Sequence, residues 1–440
     1  MIPRRDTAIR RGGTERVRNI VTSSSGPKIH LCSTARGCQS SLTETALYRR
    51  LALRMGYENV QAPEAADVLV VNTCGFSAGA EAESLDTVVR LARKFPDKRL
   101  IVSGCLPAIA PGALEAVFKG PTAGAGDVAA LGKLLGARNE APAPPVPPPP
   151  RADQEDLSST RIENRLLLRV APWYFALERR TGGLRQPLHN VVKTAAFDAR
   201  FRAIVVARGC SGTCTYCAVR TARGALQSKP LEAIVQELRA GLEAGDRDFW
   251  LVADDVGCWG QDLGLDAADL LEAILGEPAS FRLVINYLEP AWFLRLHDRL
   301  EPLLADPRVV NVNIPLQSGS AAVVQRMGRH YLPGLVVRAL ERLRRHAPDL
   351  VLKTHLMVGF PGESREDFRR TLAMVPHFHL VVPFAFTPRP GTPAATFPGR
   401  VPEQEKARRF RVLQAAVVLR YTQLVARAFV ARPGGVSTRT

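Results

Sequence analysis

The sequence predicts an α/β protein: a small N-terminal α/β domain, a larger parallel (β/α) barrel, partial or complete, and a C-terminal helix. Three observations carry this. Continuous β-branched runs such as Asp67–Thr73 (DVLVVNT) read as strands buried on both faces, the mark of a parallel sheet. From Arg202 onward such runs recur at roughly 35-residue intervals with helical periods between them, which indicates repeated βα units. Between the two regions, Ala141–Pro150 holds seven prolines in ten residues and reads as a spacer.

Residues 1–27 are rich in Gly, Ser and Arg without an apolar period, and a disordered basic tail is expected. Residues 28–138 form the first domain. Lys28–Cys32 is a short strand, Leu42–Met55 has a helical period, Asp67–Thr73 is a strand, Ala80–Phe95 is an amphipathic helix and Arg99–Ser103 is a strand. Residues 139–200 are a Pro-rich linker and insertion. Within it, Trp173-Tyr174-Phe175 among Arg179, Arg180 and Arg185 either lines a substrate entrance or packs between domains. Residues 201–400 supply the barrel strands Arg202–Ala207, Asp248–Ala253, Arg282–Tyr287, Val309–Ile314, Leu350–Val358 and Leu380–Phe386. Helical segments such as Leu231–Ala244 and Val336–His346 lie between them. Residues 401–440 carry the last helix, Pro402–Val430, with Leu413, Ala416, Val417, Leu424 and Ala428 along one stripe, and a tail.

A chain of 440 residues with 46% apolar composition has material for about two or three domains with sizeable cores. No apolar run is long enough to cross a bilayer, and no apolar h-region follows the first charges. An organelle transit peptide is disfavoured by Asp6, Glu15 and the lack of an amphipathic stripe. A cytoplasmic location is expected, where thiols stay reduced and serve metal clusters. The net charge is +17, of which residues 1–28 hold +5 and residues 401–440 hold +6. Basic termini attract nucleic acid or another polyanion. They also occur as solvated surface, and no stacking aromatics interleave with them here.

Chemistry concentrates in the cysteines. Cys210-Ser-Gly-Thr-Cys214-Thr-Tyr-Cys217 has C-x3-C-x2-C spacing and follows the first barrel strand, where barrels keep their catalytic groups. Three thiolates hold three irons of a [4Fe–4S] cluster and leave the fourth open to a second molecule. Half of a zinc site is the rival reading, but no fourth Cys or His follows at a suitable spacing. Cys38, Cys74 and Cys105 form a second set, each at the end of a strand or turn and each beside a glycine. Cys74 and Cys105 end two parallel strands, and binding sites gather at such carboxyl edges. A second cluster and three unrelated buried cysteines both remain open on spacing alone. Cys32 and Cys258 are expected to be ordinary thiols.

The two sets, with their surroundings, resemble the radical SAM methylthiotransferases from about residue 28 to residue 430. The resemblance is carried by Gly37-Cys38-Gln39, Asn72-Thr73-Cys74-Gly75-Phe76, Ser103-Gly104-Cys105-Leu106, the cysteine loop with Arg223-Gly224, Ile314–Ser320, Val358–Glu363 and Thr387–Thr392, all in family order. Asn72–Phe76 with Glu83-Ser84 is similar to the ribosomal-protein branch, and Gln317–Ser320 to the tRNA branch. The resemblance implies a radical SAM partial (β/α) barrel, two [4Fe–4S] clusters and S-adenosylmethionine. Cys210, Cys214 and Cys217 would hold the cluster that binds S-adenosylmethionine. Cys38, Cys74 and Cys105 would hold an auxiliary cluster that carries the transferred sulfur. An electron donor of flavodoxin or ferredoxin type would be a partner.

Further cofactor contacts are expected from Tyr216, Ser228, Asp254, Gln317, Lys353 and Gly359. Asp254-Asp255 would meet the amino group of S-adenosylmethionine or cap a helix. Gln317 and Lys353 would end strands at the barrel mouth. Gly359–Glu363 would shape the adenine pocket, with Glu363 starting the next helix. Ser228-Lys229 stands where the family has Ser-Arg, so the fork of a guanidinium is lost. The family's C-terminal substrate-gripping β-barrel is not expected here, because no β-rich segment follows Val430. A small-molecule or peptide substrate is therefore the first expectation. A tRNA or a ribosomal protein is the alternative, and a non-catalytic Fe–S binding protein the second alternative.

Overall fold

In the N-terminal domain four parallel strands stand in the order β2-β1-β3-β4. They are β1 (Lys28–Ser33), β2 (Glu58–Asn59), β3 (Val68–Thr73) and β4 (Arg99–Gly104). The computed structural model describes residues 26–34, 38–136 and 201–430. Most of the expected basic tail, Gly37, the proline run with the Trp173 cluster, and the last ten residues lie outside the described residues. Every residue of β3 is buried, as its unbroken apolar run requires. One face of the sheet packs against α1 (Gln39–Arg54) and α5 (Val128–Leu135) through Tyr48, Ala52 and Leu131. The other packs against α2 (Ala78–Lys94) through Val88 and Leu91. Two short helices, α3 (Leu106–Ile109) and α4 (Pro111–Glu115), follow β4. Helix α1 starts three residues before the predicted Leu42, because extended Cys38 serves as its N-cap residue. Helix α5 has no counterpart in the sequence reading, although Asp127 caps it by accepting the Ala130 N–H at 2.8 Å.

The barrel is an open six-stranded parallel sheet in the order β12-β11-β10-β9-β8-β5. Its strands are β5 (Arg202–Val205), β8 (Asp248–Val252), β9 (Arg282–Ile285), β10 (Val309–Asn313), β11 (Val351–Val358) and β12 (Leu380–Ala385). A two-residue ribbon, β6 (Ala207–Arg208) against β7 (Gln227–Ser228), frames helix α6 (Val219–Arg223). Helices α7 (Leu231–Glu243), α8 (Ala267–Leu275), α9 (Pro290–Arg295), α10 (His297–Leu304), α11 (Ala321–Arg326), α12 (Pro333–His346) and α13 (Arg365–Leu372) complete the crossovers. Alternate strand residues such as Phe249, Leu251, Leu283 and Val312 join Ile234, Leu238, Leu271 and Leu340 of the helices in the main core. The opposite alternation puts Phe201, Trp250, Val252, Val284 and Val310 in a separate apolar group on the inner face. That group fills part of the barrel interior.

Helix α14 (Glu403–Val430) covers the open edge beside β12. Its Leu413 and Val417 are fully buried, and the Tyr421 hydroxyl donates to the Val381 carbonyl at 3.0 Å. Ala428 of the predicted stripe falls outside the described side chains. Covering an edge strand removes a template for unwanted pairing. Among the described residues no helix is long and apolar enough to cross a membrane.

Candidate active site

The pairing of β3 with β4 sets Asn72 opposite Ser103 and Thr73 opposite Gly104, so Cys74 and Cys105 leave one carboxyl edge side by side. Cys38 arrives from the start of α1. Asn72 fastens that start to β3, donating from Nδ2 to the Ser41 carbonyl and to Thr45 Oγ1, both at 3.1 Å. The Cys74 loop is held by Ser84, whose hydroxyl accepts the Cys74 N–H and donates to the Cys74 carbonyl, each at 3.0 Å. Burial pushes the Cys38 thiol up to about 11 and Cys105 further, while the charge of Arg223 pulls both back. Each of these thiols also feels Cys74, so the three sulfurs are electrostatic neighbours. Desolvated thiols that crowd together become good ligands once a metal takes their charge.

The second set sits on a loop pinned from three sides. Thr215 donates its N–H to the Met327 carbonyl and its hydroxyl to the Arg326 carbonyl, both at 2.9 Å, and its own carbonyl accepts from the Ala394 N–H at 2.9 Å. A Cβ at Gly212 would lie 3.2 Å from Cys210 Sγ and 4.0 Å from Cys214 Sγ, so glycine leaves open the cradle that these sulfurs line. The Gly212 N–H donates to Cys210 Sγ at 3.1 Å, which favours a thiolate. All six cysteines are half-buried free thiols. Both sets thus fit [4Fe–4S] clusters: three half-buried sulfurs each with a cation nearby, and in the Cys210 set a glycine that leaves room beside the sulfurs.

Cys258 is no ordinary thiol. It is fully buried, and its Sγ, Cys210 Sγ and an Asp255 carboxylate oxygen all lie within 4.8 Å of one another. A hydrogen bond from Cys258 holds the Cys210 thiol down to about 7, while burial pushes Cys214 up and Cys217 up to about 11. The buried Arg329 adds positive charge beside Cys214, held by Glu289 at 3.3 Å and the Pro315 carbonyl at 2.9 Å.

The other predicted positions have mixed placements. Tyr216 stands edge-on to Phe360 with ring centroids 6.2 Å apart. The Ser228 hydroxyl accepts the Gly260 N–H at 2.9 Å. Both carboxylate oxygens of Asp254 are engaged inside the protein, one by the Gly209 N–H at 2.9 Å and the other by Arg223 Nε at 3.3 Å. Asp255 caps the turn that follows by accepting the Gly257 N–H at 2.9 Å. Gln317 adopts φ 61°, a costly conformation for a non-glycine residue that clusters at functional sites. Lys353 stands third in β11 and not at its end, level with Asn313 at the end of β10. At Gly359 a Cβ would meet Lys406 Cγ at 2.4 Å. Glu363 does not start a helix: Ser364 caps α13, and buried Glu363 accepts the Gly359 N–H and pairs with Arg409 of α14 at 2.6 Å.

A run of aromatic side chains links the Cys74 loop to the barrel. Phe76, two residues after Cys74, meets Phe384 edge-on at 5.9 Å, followed by His355 at 5.2 Å and Tyr287 at 5.3 Å. Tyr287, like Gln317, has a positive φ, at 59°. Asn313 donates to Asn286 Oδ1 and meets His355 Nε2, both at 3.3 Å, and so forms a polar layer in the barrel. Sequence reasoning missed Glu44, Ser84, Asn286, Asn313 and Arg329 as site residues. The amides Asn286 and Asn313 within apolar runs were the available signal.

A conserved-domain description, the radical SAM superfamily, matches residues 204–375, and the uncharacterized protein family UPF0004 matches residues 30–122. The ribosomal protein uS12 methylthiotransferase RimO of Geobacter sulfurreducens is 30% identical over 396 residues, covering 86% of this chain and 80% of that protein. The threonylcarbamoyladenosine tRNA methylthiotransferase MtaB of Thermotoga maritima is 37% identical over 235 residues, 52% of this chain and 53% of that protein. Among solved structures, the radical S-adenosylmethionine methyltransferase TsrM of Kitasatospora setae aligns with a TM-score of 0.54 at 16% identity, covering 84% of this chain and 75% of that one. That likeness concerns the fold. The domain match and the relative covered over most of its length define a radical SAM enzyme. The chain belongs to the radical SAM methylthiotransferase family, whose cofactors are S-adenosylmethionine and two [4Fe–4S] clusters.

Proposed function

We propose that this enzyme inserts a methylthio group into an adenosine derivative of tRNA. The observation that supports the chemistry is a pair of three-cysteine sets, one leaving the carboxyl edge of β3 and β4 and one on the loop after the first barrel strands, with Phe76 beside the first set packed on Phe384 of the barrel. When bound, S-adenosylmethionine and a reduced [4Fe–4S] cluster supply radical chemistry at an unactivated C–H bond, and a second cluster supplies sulfur. In this reading Cys210, Cys214 and Cys217 hold the first cluster, and Cys38, Cys74 and Cys105 hold the second. Thr215 and Gly212 orient the first loop, and Ser84 and Asn72 orient the second. Tyr216, Gln317 and Gly359 border the S-adenosylmethionine site. Asp254 serves the protein's own network, because both of its oxygens are engaged.

The tRNA substrate rests on the stretch most like MtaB and on the net charge of +17, which suits a polyanion. The length of the match to RimO favours ribosomal protein uS12 as the second reading. The relatives' substrates lend no support to the small molecule or peptide that the sequence suggested first. A flavodoxin- or ferredoxin-type donor supplies the electron. The test is reconstitution with reductant and S-adenosylmethionine on tRNA and on uS12, read by mass spectrometry. Methylthio-adenosine in the tRNA is expected. Product on uS12 alone establishes the second reading. Cys214→Ala is expected to abolish 5′-deoxyadenosine, and Cys74→Ala to keep it while losing methylthio product. Equal loss of 5′-deoxyadenosine in both variants contradicts the division of roles.

A further inference from the structure

Arg223 ends helix α6, immediately after the cysteine loop of the barrel, and its side chain is 4% exposed. Its Nη1 donates to Glu44 Oε1 of α1 at 2.6 Å, and its Nε stands 3.3 Å from Asp254 Oδ1. The second oxygen of Asp254 accepts the N–H of Gly209, the residue before Cys210. A continuous polar chain therefore runs from the backbone of one cysteine set to the helix that begins at Cys38. Helix α6 also packs against α3, which begins at Cys105. Glu44 Oε2 is buried without a hydrogen-bond partner, so Glu44 leans on its arginine for charge balance. Burying such a triad costs desolvation, and a well-packed apolar replacement often does as well for stability. Its value lies elsewhere.

A guanidinium cannot lose its proton, so the cation persists at any working pH. Arg208, the other cation near Glu44, stands 3.9 Å away, is 37% exposed, and spends its fork on the carbonyls of Gly126 and Ala125. We propose that Arg223 is a positioning residue of the auxiliary centre: it locks the two cysteine sets in register and keeps a buried cation between the helices that start at Cys38 and Cys105. The inference rests on the reading of Cys38, Cys74 and Cys105 as auxiliary ligands.

The test uses the full chain with Cys210, Cys214 and Cys217 all replaced by Ala, so that only the auxiliary centre reports. After anaerobic reconstitution with iron and sulfide, iron per chain and midpoint potential are measured for this parent and for added Arg223→Met or Arg223→Lys. A reduced cluster carries one more negative charge, so loss of the cation is expected to shift the potential downward in Arg223→Met. Arg223→Lys restores the charge without the fork and is expected to recover most of that shift. Equal potentials in parent and Arg223→Met overturn the inference, as does a shift in Arg223→Lys as large as in Arg223→Met. If Arg223→Met takes up no iron, uptake by Arg223→Lys sustains the inference and failure in both refutes it. A parent that binds no iron overturns the ligand reading itself, and the inference falls with it.

Discussion

Replacing Gly209 with Ala tests whether the backbone beside Cys210 is as constrained as the structure shows. Gly209 has φ +71°, a left-handed conformation that costs an L-residue about 1–2 kcal/mol. A Cβ there would stand 2.1 Å from the Ala225 carbonyl oxygen and 2.6 Å from its carbon, both backbone atoms that cannot swing aside. Overpacking of that kind adds about 1–3 kcal/mol. The sum is about 2–5 kcal/mol, a large share of a domain's stability. Relief by moving Gly209 would strain its N–H bond to Asp254 and drag Cys210 with it. Gly264 is the control, because it has φ +74° with nothing within 4 Å of a Cβ, so Gly264→Ala should cost only the conformational part. Urea unfolding of both variants gives the difference, and iron per chain reports the cluster loop. Gly209→Ala is expected to cost at least about 1 kcal/mol more than Gly264→Ala and to lose iron. Equal costs with full iron in both would refute the reasoning. Gly104, just before Cys105, repeats the arrangement: φ +100° and a Cβ 2.3 Å from the Thr73 carbonyl oxygen. Gly104→Ala should lose iron from the auxiliary set instead.

Two further outcomes are expected. Ser84→Ala removes both side-chain bonds to the Cys74 backbone, each worth about 0.5–1.5 kcal/mol. Iron should fall toward half while 5′-deoxyadenosine formation persists, and a full complement of iron would count against the role of Ser84. Burial holds the His379 imidazole down to about 3, with Nδ1 accepting the Leu352 N–H at 3.0 Å. The unfolded chain takes up this proton near pH 6.5, whereas the folded chain resists until about pH 3. Stability from this site is therefore full above about pH 6.5 and falls as the pH drops toward 3, by about 1.4 kcal/mol per unit. Between pH 7.5 and pH 5 the wild type should lose about 2 kcal/mol more than His379→Gln, measured by urea unfolding. Parallel losses in the two proteins would exclude the histidine as a source.

The longer strands and the five longest helices were legible because each obeys a local rule. Asp67–Thr73 has no polar break, so it had to lie between two layers, and it does. The recurrent runs after Arg202 gave the six barrel strands to within about two residues at each end, since periodic burial fixes a strand's centre better than its ends. Helix α5 was missed because its eight residues span barely two turns, too few for a period to show. The site divides the same way. Cysteines announce themselves by spacing, and glycines beside them by the room they leave. Glu44, Arg223 and Asp254 come from three separate stretches, and only the packing of α1 and α6 brings them together. Nothing local distinguishes Glu44 from a solvated acid on a helix, because its meaning lies in a partner 179 residues away. Cys258 shows the same limit. Alone in its stretch it reads as a small apolar residue, yet the turn capped by Asp255 carries it to Cys210. Spacing along the chain reveals ligands that share a loop. Groups that balance their charge are recruited across the fold, so they become visible only once strands and helices are in place.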